Sequence, residues 1–247
     1  MTFSAVLRSE WIKIRSVRAV VGSLLAVLLS TAAFSLLGSA TIGHEEAGRR
    51  DFDPVLASFF GLNFGQIAAI CFGATAVTSE YGSGAIRVSL TAVPRRGLFY
   101  AAKLAVVGAL SCVVGLITGL TCWFAGQALI GGPGIGAADP TGLRAVVGCA
   151  AYLTLVTLFA AGLATVLRSG PAVMGILIPF LLLVSFVIGD VNRGAGFADF
   201  LPDRAGQQVL LQHPAGSLGP WSGLAVTAGW VAVALGAGWT VLRRRDA

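Results

Sequence analysis

The sequence predicts an all-α polytopic membrane protein. It has six transmembrane helices, an amphipathic interfacial helix ahead of the first, and a short cytoplasmic helix between the second and third. Three observations carry that expectation. The 247 residues are 56% hydrophobic and only 11% charged, against about 25% charged in soluble domains. The apolar residues gather in runs near the length a bilayer core demands, about 20 residues in a helix. The charged residues divide unequally between the two sets of connections. The 33 glycines suit the same class, because glycine lets membrane helices approach closely. Residues 1–247 are read as one six-span domain.

The first element is residues 1–18. From Phe3 to Arg18 there is no proline or glycine. At 100° per residue, Phe3, Val6, Leu7, Ile14 and Val17 share one face, with Trp11 at its edge and Arg8 and Arg15 opposite. An apolar face with arginines behind it and a tryptophan beside it describes a helix lying in the lipid boundary. Glu10 breaks the pattern by projecting into the apolar face. Two readings are open for it: it snorkels or pairs locally with Lys13 at i+3, or it meets a cation on another element, such as an arginine of the 79–96 loop or of a partner.

The six apolar runs cover about residues 19–42, 55–77, 104–130, 145–167, 172–189 and 221–242. The fifth is the shortest and contains Pro179, which should kink it. In the second run Gly61, Gly65, Ala69 and Gly73 recur at every fourth position; in the third, Gly108, Cys112, Gly115 and Gly119 form a similar stripe. Such stripes mark tight helix contacts, within one chain or across a dimer. Asn63 and Gln66 are the most polar residues of the second run. They serve either interhelical hydrogen bonds or a polar pathway.

Between the second and third runs lies Ser79 to Arg96. It holds a glycine pair, then Ile86, Leu90 and Val93 at i, i+4 and i+7, then Pro94-Arg95-Arg96. That spacing builds a short helix with one apolar face, which must meet lipid or a partner. The connection 168–171 is a minimal turn. The outer connection, residues 190–220, contains a short helix over 204–211, whose Val209, Leu210 and Leu211 could cap the mouth of the bundle.

An even number of spans puts both ends on one side. That side carries twelve basic residues (Arg8, Lys13, Arg15, Arg18, Arg87, Arg95, Arg96, Lys103, Arg168, Arg243, Arg244, Arg245) and three acids, a net +9. The other carries five basic residues and eight acids, a net −3, which accounts for the overall +6. Positive charge marks the cytoplasmic side, so both termini and the 79–96 loop are expected there. The basic balance follows from topology, and nucleic acid is not an expected partner. That only Lys13 and Lys103 accompany fifteen arginines is read as genomic composition.

What the spans lack narrows the function. None contains Asp, Glu, Lys, Arg or His, whereas ion-coupled carriers need ionisable residues in the membrane. No cluster of metal ligands is visible. Cys71, Cys112, Cys122 and Cys149 read as small apolar packing residues. A phosphate-binding loop needs a glycine-lysine pair, but Lys13 follows Ile12 and Lys103 follows Ala102. Any ATP-driven work therefore belongs to a separate subunit.

Four segments carry a resemblance. Ser9-Glu10-Trp11-Ile12-Lys13-Ile14-Arg15-Ser16-Val17-Arg18 resembles the N-terminal stretch of bacterial type-2 ABC transporter permeases. Ser79-Glu80-Tyr81 through Pro94-Arg95-Arg96, with Ala102-Lys103, is similar to their loop between the second and third spans. Leu201-Pro202-Asp203-Arg204-Ala205-Gly206-Gln207 and Arg243-Arg244-Arg245-Asp246-Ala247 look like their outer loop and tail. The resemblance implies a permease in a bacterial plasma membrane that dimerises and exports with two ATP-binding subunits. It implies no cofactor in this chain, with ATP and magnesium on the partner. It also implies that Glu80, Tyr81, Arg87, Arg95 and Arg96 make polar contacts to that partner. Ile86, Leu90 and Val93 would form the docking face, and the N-terminal helix, with Glu10, Trp11, Lys13 and Arg15, would contact those subunits as well. Two alternatives share the six spans: a membrane anchor or assembly factor, and, less in keeping with uncharged spans, a secondary transporter.

Overall fold

The computed structural model describes residues 2–46, 49, 52–93, 95–130, 139–184, 196, 198–212 and 217–244. Helix α1 covers Phe3–Ser16, and α2 covers Arg18–Gly38, continuing as a π-helical turn to Gly43. A short helix α3, Pro54–Ser58, precedes α4, Leu62–Gly82. Then follow α5 (Ala85–Ala92), α6 (Arg96–Ile130), α7 (Pro140–Leu167) and α8 (Gly170–Pro179). Helix α9, Pro202–Gln207, and α10, Pro220–Arg244, complete the chain. No strand occurs among the described residues.

Among the described residues, five helices are long and apolar enough to cross a membrane: Arg18–Gly43, Leu62–Gly82, Arg96–Ile130, Pro140–Leu167 and Pro220–Arg244. The expected fifth run departs from the other five. It is an apolar helix of Gly170–Leu183, in which the α-helix ends at Pro179 and Phe180–Val184 widen into a π-helical turn. Proline has no N–H and clashes with the preceding turn, which displaces the regular ladder. Residues 185–189 of that run lie outside the described residues. So do Arg50, Asp51, Pro94, Asp190, Arg193, His213, Pro214 and residues 245–247.

Helix α7 is the centre of the bundle. It packs on α4, α6, α8 and α10, while α2 packs on α4 and α6. Cys149, Tyr152, Leu153, Ala160, Ala161 and Ala164 of α7 are fully buried. Lipid supplies no hydrophobic drive between helices, so close backbone packing does the holding. The two small-residue stripes supply it within one chain. Gly61 and Gly65 of α4 fit against Thr31 of α2, and Gly73 sits on the Thr157 carbonyl of α7. Gly115 and Gly119 of α6 lie on Ala150 and Val146 of α7. A Cβ at Gly73 would overlap the Thr157 carbonyl and crowd Ala160. Gly73→Val is therefore expected to cost about 1–3 kcal/mol, as overpacking does. The melting temperature of the detergent-purified protein reads this directly, and an unchanged value would exclude the contact.

The connection ahead of α10 folds back onto the bundle. Val209 and Leu210, in a 3-10 turn after α9, are buried in the main core. Gly148 of α7 leaves room for Val209. Arg144 donates through Nη2 to the Leu211 carbonyl, and Asp53 accepts from the Gln212 amide at 2.8 Å. Asp53 also caps α3 through the Val55 and Leu56 amides.

Candidate functional site

The site lies at the end of the bundle where α1 starts and α10 stops. Helix α4 ends there at Gly82, and Gly84, with φ of 70°, turns the chain into α5. Only glycine adopts that left-handed backbone without strain. Helix α5 is amphipathic, as its spacing predicts, but its apolar side faces the protein itself. Ile86 and Val93 are 5% and 8% exposed. Val93 packs with Val6 of α1 and with Phe99 and Ala102 of α6.

Between these helices sits a buried cluster of four charges. Lys103 of α6 donates to Glu10 Oε2 at 2.6 Å and to Glu80 Oε1 at 2.8 Å. Lys13 donates to Glu10 Oε1 at 2.6 Å and to Ser89 Oγ of α5 at 2.9 Å, and lies 3.1 Å from Glu80 Oε1. Both ammonium groups stand over the Phe99 ring, at 5.3 and 5.4 Å from its centroid. Glu10, Glu80 and Lys103 are 1%, 6% and 5% exposed. Two cations and two anions leave the cluster neutral, the condition under which buried charge is tolerable. The cluster joins α1, α4, α5 and α6 at one point.

Glu10 thus meets both expectations made for it. It pairs with Lys13 in its own helix and with a cation on another element. That cation is Lys103, not an arginine of the 79–96 loop. The reading of the two lysines as mere composition needs correction too. Both lysines of the chain stand in this one cluster. A lysine ammonium is a compact charge with three donors that can bridge two carboxylates, whereas a guanidinium is a planar fork. The signal was legible in the sequence: both exceptions to an arginine-rich usage fall in segments expected on the same, basic side of the membrane.

Burial lowers the Lys13 pKa, but the Glu10 hydrogen bond and the charges of Glu10 and Glu80 outweigh it. The net result is a pKa raised above 10.5. A raised lysine pKa contributes stability in full below the unfolded value and loses it as pH rises through the folded value. The melting-temperature difference between wild type and Lys13→Met should therefore stay flat from about pH 6 to about pH 9 and shrink only above the unfolded pKa. A difference that shrinks within that range would contradict the assignment.

The residues expected to face a partner separate into two groups. Four turn inward. Glu80 is in the ion cluster and Ile86 is in the protein interior. Tyr81 is partly buried beneath Arg168, whose guanidinium lies 5.3 Å from its ring centroid. Arg96 donates to the Leu242 carbonyl at 2.7 Å, near the C-terminal end of α10. Val93 joins them inside. Arg87 and Arg95 are exposed, together with Val88, Thr91 and Ala92. The side chain of Leu90 is outside the described residues. Ile86 and Val93 are thus spent on holding α5 to its own chain, while Arg87, Val88, Thr91 and Ala92 point outward.

Trp11 is 41% exposed on α1, with the Arg15 guanidinium 5.7 Å from its ring centroid. In the bundle's other half, Gln66 Oε1 accepts from the Tyr152 hydroxyl. Asn63 Oδ1 accepts from Gln66 at 3.5 Å and from Gln207 at 3.2 Å. Gln66 is buried and Asn63 exposed. Tyr152 and Gln207 are the partners that periodicity could not supply, because they come from distant helices. Among the described residues no three metal-ligating side chains cluster.

The sequence model of the ABC-2 family transporter proteins matches residues 6–188. The chain belongs to that family. No curated protein matches the chain. The match begins at Val6 in α1, passes through the ion cluster and α5, and ends beyond the described part of the fifth apolar run. The chain is thus a multi-pass membrane protein and the permease component of an ABC transporter, a transport component that is not itself catalytic. ABC-2 permeases in general work with ABC ATP-binding subunits.

Proposed function

We propose that this permease forms an ATP-driven exporter in a bacterial plasma membrane. Two copies would line the pathway and bind two ATP-binding subunits from the cytoplasm, where both termini lie. ATP and magnesium are held by those subunits, and this chain needs no cofactor. The observation that carries the proposal is the ion cluster. Ser89 ties α5 to Lys13, and Lys13 and Lys103 tie α1 to α4 and α6. A push on α5 is therefore delivered to three other helices at once. The outward face of α5, with Arg87, Val88 and Arg95 exposed, is the docking surface. This replaces the apolar stripe expected from the sequence, since Ile86 and Val93 are occupied.

The energy source follows from the same inventory. The apolar runs contain no charged residue, and the charges buried at this end, Glu10, Glu80 and Lys103 with Lys13 beside them, pair with one another, which supports an energy source outside this chain. The test is reconstitution of the purified permease in vesicles with and without an ABC ATP-binding subunit that co-purifies with it. ATP-dependent export only in the complete assembly is expected. Transport by the permease alone on a proton gradient would overturn the proposal.

A further inference from the structure

Helix α1 does not lie flat against α6. Val6, Glu10 and Ile14 face the bundle, and beside them a groove of about 590 Å³ opens between the two helices. That size suits a single-chain or drug-sized ligand. Leu7 and Trp11 form one wall, and Ala105, Ala109 and Val113 of α6 form the other. Ala105, Ala109 and Val113 recur at every fourth position, so they share one helix face. Alanine at two of these three positions leaves the floor low. The lining is apolar except at its rim, where Arg8 stands.

Charge supplies the identity of the occupant. Arg8 and Arg15 are exposed, and among the described residues neither forms an ion pair with the protein. Arg15 is held against Trp11 instead. A cationic and aromatic rim above an apolar trough, on a helix at the membrane boundary, matches a headgroup above an acyl chain. We propose that this groove binds one anionic glycerophospholipid of the bilayer, with its phosphate on Arg8 and an acyl chain between α1 and α6. Because α1 carries Glu10 and Lys13, a bound lipid would brace the same helix that the ion cluster anchors. The proposal does not depend on how ATP is coupled.

The test uses the purified full-length permease and native mass spectrometry with added phosphatidylglycerol or phosphatidylcholine. Wild type should retain phosphatidylglycerol about fivefold better, the scale of one headgroup–arginine contact. Arg8→Gln, at an exposed position, should bring the two lipids to near parity. Ala109→Trp fills the trough from an exposed position and should reduce the retention of both. Equal retention of both lipids by wild type would overturn the site. So would undiminished retention of phosphatidylglycerol by Ala109→Trp, which would leave only a surface charge effect. If Ala109→Trp kept the lipid preference but released the ATP-binding subunit, the groove would belong to that protein, and the lipid proposal would fall.

Discussion

Lys103→Met is expected to destabilise the permease by about 3–5 kcal/mol, the usual cost of removing one partner from a buried ion pair. The geometry says why the cost is high. Lys103 bridges Glu10 Oε2 and Glu80 Oε1 at 2.6 and 2.8 Å. Among the described residues the second oxygen of Glu80 has no hydrogen-bond partner although it is buried, so Glu80 depends on its contacts through Oε1. Methionine fills much of the same volume but leaves two carboxylates with one ammonium, and that ammonium, Lys13, is 34% exposed. The melting temperature should fall on the order of 10 °C, and protease should reach the α1 segment sooner. Adding Glu80→Gln to Lys103→Met should recover part of the loss, because one carboxylate then matches one ammonium. If Lys103→Met melts with the wild type, the cluster does not hold these helices. Lys103→Arg should fall between the two, since a planar fork cannot donate in the same three directions.

Arg87→Glu is expected to leave folding and membrane insertion intact and to reduce export at least about tenfold while the ATP-binding subunit still hydrolyses ATP. Arg87 sits on the outward face of α5, exposed beside Val88 at 71% exposure. It is two residues from Ser89, the α5 contact to Lys13, and so on the other side of the same short helix. On the docking surface proposed above, reversing its charge would set a carboxylate where the partner meets a cation, and like-charge juxtaposition at an interface costs several kcal/mol. Export and ATP turnover measured in the same vesicles separate coupling from binding. Wild-type export in Arg87→Glu would refute the role. Ser89→Ala provides the matching internal change: it removes the α5 link to Lys13 without touching the docking face, and should weaken coupling with the partner still bound.

Much of the fold was legible in the sequence. Hydropathy located the long spans because backbone groups in lipid must be satisfied within a helix, which forces long apolar runs. The period of α5 was visible in Ile86, Leu90 and Val93, and the break before it in Gly82 and Gly84. The direction in which that apolar face points was not. Periodicity reports that a face is buried, and only packing reports against what. The same holds for the small-residue stripes, which could have joined two chains and instead join α4 and α6 to their neighbours. The extent of the fifth run was the least secure reading, because Pro179 interrupts the ladder on which a span's regularity depends.

By itself, the sequence determined that this is an α-helical membrane protein with a charge-biased end and no glycine-lysine pair of a phosphate-binding loop. Composition and run length suffice for that, since the bilayer acts on each segment locally. Only the tertiary structure decided the partners. It brought Glu10, Lys13, Glu80, Ser89 and Lys103 into one cluster from four helices. It also turned Arg96 onto Leu242 and left Arg87 facing out. Those contacts span up to 146 residues of chain. No local pattern encodes them, because a buried charge is stabilised by whichever opposite charge the fold delivers to it.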